Sequence, residues 1–308
     1  MKIILAPSYE IAKNIEADAT VEAEYGEKVV EGNIITLAHH GPRSNNPAPC
    51  NTPDVPILNE DAVILISHID LDTLGGIYAL QGRKVEDAAF WEAAEMIDVR
   101  GAHHIHELPD NIQDKLNAYY AYNESLPRFA RQAEAIDVTK EVDDSYKVLE
   151  TILNVYAPGH YNMIKAGEEW EQNITQAVEK CLLYESNDIR VFDTDGPFCA
   201  ASYYSPRQHK TFPATITYNE KFKSITLAFE DGGKTLNAAH IVQKLWGPEA
   251  GGRSGIAGSP RNKEMTKKDL DNLVQEVSKE MRAHSFSTVT LPGEVKENSK
   301  ERPKEIER

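Results

Sequence analysis

The sequence predicts an α/β protein with an N-terminal parallel-sheet lobe, a helical connector and a smaller C-terminal α+β lobe. Three observations lead there. Ala62-Val63-Ile64-Leu65-Ile66-Ser67 is a continuous apolar run of strand length, and a strand apolar at consecutive positions suits burial on both faces, as in a parallel sheet. From Ile112 to about Glu185 apolar residues recur at three- and four-residue spacing, as in Tyr146, Leu149, Ile152, Leu153 and Tyr156, which is a helical period. Strand-like segments then return at Ile189-Arg190-Val191-Phe192 and Ser224-Ile225-Thr226-Leu227-Ala228-Phe229.

The remaining elements follow in order. Met1 to Pro7 reads as a first strand, its apolar stretch being too short for a signal peptide. Asn33 to Leu37 reads as another strand. The segment Gly41 to Cys50 carries three prolines and an Asn pair, so it is loop. Gly75-Gly76 opens a helical segment, and Ala88 to Ile97 reads as helix running into Asp98. Pro158-Gly159 breaks the helical middle, after which a long helix is expected from Gly167 to Tyr184. Asn237 to Trp246 reads as a short helix. Thr266 to Arg282 reads as the last, with Thr266 as N-cap and Asp269 in the capping-box position. The expected division is residues 1–110 for the first lobe, 111–186 for the connector, 187–290 for the second lobe and 291–308 for a polar, disordered tail.

Composition narrows the function classes. Of 308 residues, 41% are hydrophobic and 27% charged, as in a globular protein. No run reaches the roughly 18 apolar residues of a membrane helix. Three cysteines without a CxxC pair argue against a disulfide scaffold or thiolate zinc site, and point to a reducing, cytoplasmic setting. A net charge of -16 repels long nucleic acid. It still permits a local phosphate, where metals and a few arginines invert the field. The sequence carries no signal for an oligomeric state.

The chemistry-bearing residues concentrate early. Six of the ten histidines fall between positions 39 and 106, each cluster beside the end of an expected element, where a parallel sheet presents its ligand crevice. His68, Asp70 and Asp72 follow the buried strand and in extended backbone would project to one side. One imidazole and two carboxylates suit Mn²⁺, with Zn²⁺ or Fe²⁺ as alternatives. His39 and His40 follow a second strand and are expected to be ligands, as are Asp98 and His106. Arg100 has the fork to hold a phosphate oxygen. His103 and His104 complete the site or act as general acid. The first lobe is therefore expected to be a metal-binding catalytic lobe.

His68-Ile69-Asp70-Leu71-Asp72 followed by glycines resembles the first motif of the DHH phosphoesterases. Gly251-Gly252-Arg253-Ser254-Gly255-Ile256-Ala257-Gly258 resembles the glycine-rich substrate loop of the DHH-associated C-terminal domain. The resemblance implies a first lobe holding a metal pair and a second lobe in which Gly251, Gly252, Arg253, Ser254 and Gly255 bind substrate, with Arg261 also flanking the loop. It implies hydrolysis of a nucleotide, another small phosphate ester or a short oligonucleotide by a metal-activated water, with no role for a membrane. Tyr203 and Tyr204 would stack on a base. The chain has no Asp-His-His triplet, the nearest being Ala38-His39-His40 and Ala102-His103-His104, and it has Ser254 where the family usually has histidine. Two alternatives therefore stand beside this reading. One is a mononuclear zinc or iron hydrolase of a C–N or ester bond. The other is a catalytically degenerate nucleotide-binding protein.

Overall fold

A computed structural model describes residues 1–126, 134–186, 188–196 and 200–288; the tail expected at 291–308 lies outside the described residues. The protein is α/β and divides into two compact units, Met1–Lys180 with Cys199–Thr211, and Cys181–Phe198 with Phe212–Arg308.

The first unit is built on a five-stranded sheet. Its strands run in the spatial order Ile35–Leu37, Ala19–Val21, Val63–Ile66, Lys2–Leu5, Ile136–Asp137. The first four are parallel, and the last pairs antiparallel with Lys2–Leu5. Ile64, Leu65 and Ile66 are fully buried, as the apolar run predicts. Helices Leu71–Leu80, Ala88–Arg100, Asp110–Glu124 and Thr139–Leu153 contribute Leu74, Tyr78, Trp91, Leu116, Tyr119, Val142 and Leu149 to the same core. The helical middle is thus not a free-standing connector. Its apolar stripe needs a surface to cover it, and the first unit's core supplies one.

The helix expected from Gly167 to Tyr184 runs instead from His160 to Lys180, and Leu182–Ser186 is a strand. Leu182–Ser186 pairs antiparallel with Ile189–Asp193, so hairpin pairing overrides local helical spacing there. Gly167 sits inside the helix because a Cβ there would stand 2.4 Å from the Ala118 backbone nitrogen, a contact between helices that only glycine allows.

The second unit carries a six-stranded sheet in the order Gly251–Gly252, Ile256–Gly258, Ser224–Phe229, Ala214–Asn219, Ile189–Asp193, Leu182–Ser186. Only the Ala214–Asn219 and Ile189–Asp193 pair is parallel. The strands at 63–66 and 224–229 therefore belong to different sheets, as two separate lobes require. Helices Ala238–Trp246 and Lys267–Thr288 pack on this sheet through Ile241, Val242, Leu270, Leu273 and Val277. The last helix opens with the expected capping box: Thr266 N donates to Asp269 Oδ2 at 2.9 Å, and Asp269 N donates to Thr266 Oγ1 at 3.3 Å. Among the described residues, no helix is long and apolar enough to cross a membrane.

Candidate metal centre

Parallel pairing aligns the carboxyl ends of the strands in the first unit. Glu22 follows Val21, His39 and His40 follow Leu37 after one residue, and Ser67 to Asp70 follow Ile66. Asp70 is the extended N-cap of helix Leu71–Leu80, accepting from Thr73 N at 3.2 Å, and Asp72 lies in its first turn. A carboxylate there is favoured by the helix dipole. Asp98 lies in the last turn of Ala88–Arg100, where the dipole disfavours an acid, so it needs positive partners. It has them in His39 and His40.

The donor atoms converge closely. His39 Nε2 stands 3.0 Å from Asp72 Oδ2, 3.2 Å from Asp98 Oδ2 and 3.6 Å from Glu22 Oε1. His40 Nε2 stands 3.3 Å from Glu22 Oε2 and 3.2 Å from Asp98 Oδ2. Both Glu22 oxygens, His39 Nε2, Asp72 Oδ2 and Asp98 Oδ2 are buried, and among the described residues none has a partner with hydrogen-bond geometry, their contacts with one another being ion-pair approaches. Buried polar atoms are nearly always paired, so five orphans on one cluster call for a shared partner. A divalent cation fits. Bonds of about 2.1 Å to nitrogen and oxygen hold neighbouring donors roughly 3.0–3.4 Å apart, close to the spacing seen. Around His39, two donor sets each have their atoms within 4.8 Å of one another, Glu22 with His39 and His40, and His39 with Asp72 and Asp98. They share His39. Imidazoles and carboxylates without a thiolate suit Mn²⁺, Zn²⁺ or Fe²⁺.

The loop Gly41 to Cys50 has a supporting role. His40 N donates to Glu24 Oε1 at 3.1 Å, and Asn46 Nδ2 donates to Ala38 O at 3.1 Å, so both ends of the dipeptide are held. Asn51 Nδ2 donates to Glu95 Oε2 at 2.6 Å, fixing this segment to the helix that carries Asp98.

Charge crowding appears in the pKa values. Burial raises the Glu22 carboxyl to about 10, with Asp72 adding and His39 opposing. Burial also raises Asp72 to about 7, against the pull of His39. For His39 burial favours the neutral ring, but Asp72, Asp98 and Glu22 outweigh it and raise the pKa to about 10. Burial opposes the charge of Asp98 too, but His39 and His40 lower it to about 2. Without a cation the cluster keeps protons, and ligation must displace them.

Glu22 is missing from the sequence reading. It sits at φ 52, a left-handed conformation uncommon for a residue with a side chain and often found at functional sites. The available signal was an acid directly after Ala19-Thr20-Val21, a short segment of small and β-branched residues.

The expected trio is divided by the turn into the helix, which ends the extended backbone at Asp70. Asp72 joins His39, whereas His68 Nε2 pairs with Asp70 Oδ2 at 2.7 Å and His68 Nδ1 lies 2.7 Å from Ser67 Oγ. Burial opposes the charge of His68, but Asp70 outweighs it and raises the pKa to about 9. Arg100, His103, His104 and His106 build a second cluster. Arg100 Nη2 lies 2.9 Å from both Glu107 Oε2 and His104 Nδ1, so its fork is already engaged. His106, expected as a ligand, stacks on Tyr204 with centroids 3.6 Å apart, and His103 lies against Tyr203 at 4.8 Å. Tyr204 is thus stacked on a histidine, and Tyr203 lies tilted against one.

In the second unit the glycine segment is a hairpin, not a free loop. Gly251 and Gly252 pair with Gly258 and Ala257. Gly252 has φ 156, and a Cβ there would meet Ile256 O at 2.4 Å. Arg253 N donates to Ile256 O at 2.8 Å, closing the turn, and Ser254 Oγ donates to Gly232 O at 3.1 Å. Gly251 and Gly252 line a cavity of about 520 Å³ together with Gln243, Ser259, Arg261 and Asn262. Arg253, Ser254 and Gly255 are not part of that lining.

No family model matches this chain, and no curated protein does. Among solved structures it is similar to a crystal structure of an uncharacterized protein from Helicobacter pylori G27, at 12% identity over 82% of this chain and 76% of that one. The TM-score is 0.22, too low to support an inference.

Proposed function

We propose that this chain is a metal-dependent hydrolase, a phosphoesterase acting on a nucleotide or other small phosphate ester, with Mn²⁺ as its ion and Zn²⁺ or Fe²⁺ as alternatives. The observation that carries the reading is the convergence of five buried, hydrogen-bond-free donor atoms from Glu22, His39, Asp72 and Asp98, with His40 beside them. Such an ion supplies an acidified water and stabilises charge developing on a transferred group. His39 bridges the two donor sets, and Asp70 holds His68 at the rim, where a partly exposed imidazole is suited to protonate a leaving oxygen. The family resemblance of His68 to Asp72 and of the glycine segment supports phosphorus over carbon as the centre attacked. The cavity beside Gly251 and Gly252 has both Arg261 and Glu249 in its wall, so Arg261 is the group there that could meet an anionic ligand in the second unit. Arg100, already engaged with Glu107, fits a positioning role, and His103 and His104 stand as candidates to complete the site or act as general acid. A reducing, cytoplasmic setting agrees with Cys50 and Cys181 being free.

Metal-loaded protein should hydrolyse a generic phosphodiester or phosphomonoester with added Mn²⁺. Ester or amide hydrolysis with one Zn²⁺ per chain favours the mononuclear alternative. Nucleotide binding without turnover in Mn²⁺ favours the degenerate one.

A further inference from the structure

Next to the metal centre the first unit holds a cavity of about 200 Å³, with Asp70, Asp72 and Asp98 in its wall. The rest of the lining comes mainly from Leu71, Ala94, Ile97, Tyr119, Tyr120 and Asn123. Three helices line it and leave it partly open to solvent, with residues at helical spacing: Ala94, Ile97 and Asp98 from one, Tyr119, Tyr120 and Asn123 from another.

Its chemistry is selective. Among the described residues no lysine or arginine lines it, and three carboxylates do, so a phosphate is repelled from its interior. The walls away from the aspartates are apolar or neutral. Tyr119 is fully buried, and its hydroxyl makes no hydrogen bond, although buried tyrosine hydroxyls usually find a partner. Burial, with the charges of Asp70, Asp98 and Asp72 adding, raises the Tyr120 phenol above its ordinary range, so both phenols stay neutral donors. The volume slightly exceeds the roughly 150 Å³ that holds a benzene ring.

We propose that this cavity receives the neutral, hydroxyl-bearing part of the substrate, a group about the size of one pentose ring, while the phosphoryl group sits on the ion held by the adjoining carboxylates. Tyr119 donates to a hydroxyl of that group, Asn123 offers a second polar contact, and Ala94 and Ile97 set the size limit. The inference rests on the phosphoesterase reading and names its substrate class: compact sugar phosphates, with a bulky planar group excluded from this pocket.

The test is calorimetric titration of the full-length, Mn²⁺-loaded protein with two probes, inorganic phosphate and ribose 5-phosphate supplied as its phosphonate isostere, whose P–C bond cannot be hydrolysed. Wild-type protein should bind ribose 5-phosphate about 10-fold or more tighter than phosphate. Tyr119→Phe removes one hydroxyl that has no partner in the free protein, so folding should be unaffected. It should weaken ribose 5-phosphate about 3- to 10-fold, the worth of one hydrogen bond, and leave phosphate unchanged. Ala94→Leu, which fills the cavity, should bring ribose 5-phosphate down to the level of phosphate. If phosphate binds but ribose 5-phosphate binds no tighter, or if Tyr119→Phe weakens neither probe or both alike, the pocket assignment is overturned and the phosphoesterase reading stands. If neither probe binds the loaded protein, the phosphoesterase reading falls and the pocket falls with it.

Discussion

His39 Nε2 and Asp72 Oδ2 lie 3.0 Å apart, both buried, in an ion-pair approach whose angles are not those of a hydrogen bond. Two such atoms would normally turn to share a proton, and the orphaned oxygens of Glu22 and Asp98 around them face the same centre. This relationship leads to the first prediction. Asp72→Asn should weaken metal binding more than about 100-fold, beyond the 10- to 100-fold typical of an outer-shell contact. Saturating metal should raise the wild-type Tm by roughly 5–10 °C, from about 2.7 kcal/mol of linkage at 100 times Kd. The variant should lose this gain, while its metal-free Tm is unchanged or higher because one clustered carboxylate is gone. Differential scanning calorimetry with and without Mn²⁺ reads both effects. A metal-induced rise kept by Asp72→Asn would remove Asp72 from the site.

The second prediction concerns protons. In the metal-free protein the His39 pKa is raised from 6.5 to about 10 and that of Glu22 from 4.5 to about 10. At pH 7.5 both are protonated, and both must lose a proton to ligate. Metal affinity should therefore rise with pH, and binding should release at least one proton, measured by titration in buffers of different ionisation enthalpy. The sign for metal-free stability is opposite. Groups whose folded pKa is raised contribute below their unfolded pKa and lose that contribution as pH climbs toward the folded value. The metal-free Tm should therefore fall between pH 7 and 10, and saturating metal should flatten that fall. A pH-independent affinity would contradict the assignment of His39 and Glu22.

Arg100 provides a contrast. Its pairing with Glu107 is half-exposed on both sides, and such pairs contribute roughly 0–1 kcal/mol. Arg100→Ala should leave metal content unchanged and lower stability by no more than about 1 kcal/mol. Loss of the metal from this variant, by elemental analysis, would join the second histidine cluster to the ion site.

Gly252→Ala tests the second unit. At φ 156, with Ile256 O 2.4 Å from the added Cβ, the substitution should cost about 1–3 kcal/mol in chemical denaturation. It should loosen the hairpin and weaken any anion bound beside Arg261, while metal content stays at the wild-type level. A fully stable Gly252→Ala would mean that the hairpin is not formed as described.

Some of this was legible in the sequence. The run Val63 to Ile66 announces a strand buried on both faces through its apolar residues alone, and the clusters at 39–40, 68–72 and 98–106 mark the candidate region. Asp72, Asp98, His39 and His40 are among the residues expected there, and all four meet. Glu22 was hidden because its role depends on a three-residue strand whose place is set by pairing with residues 35–37 and 63–66, far along the chain. The split between Asp72 and His68 was hidden because the backbone turns at Asp70, where a cap replaces the extended spacing. Helical periodicity showed the middle segment, but not that Tyr119 and Leu149 complete the first core. Glycine composition drew attention to 251–258 without revealing that Gly251–Gly252 pairs with Ile256–Gly258 to make a hairpin, which Ser224–Phe229 joins to the sheet.

The most direct measurement is anomalous scattering from crystals grown with Mn²⁺, collected on both sides of the metal edge. An anomalous peak is predicted about 2.0–2.3 Å from His39 Nε2, with oxygens of Asp72 and Asp98 at similar distances and Glu22 or His40 completing the set. Crystals with ordered His39, Asp72 and Asp98 side chains, no peak among them and protons shared between them would contradict a metal centre.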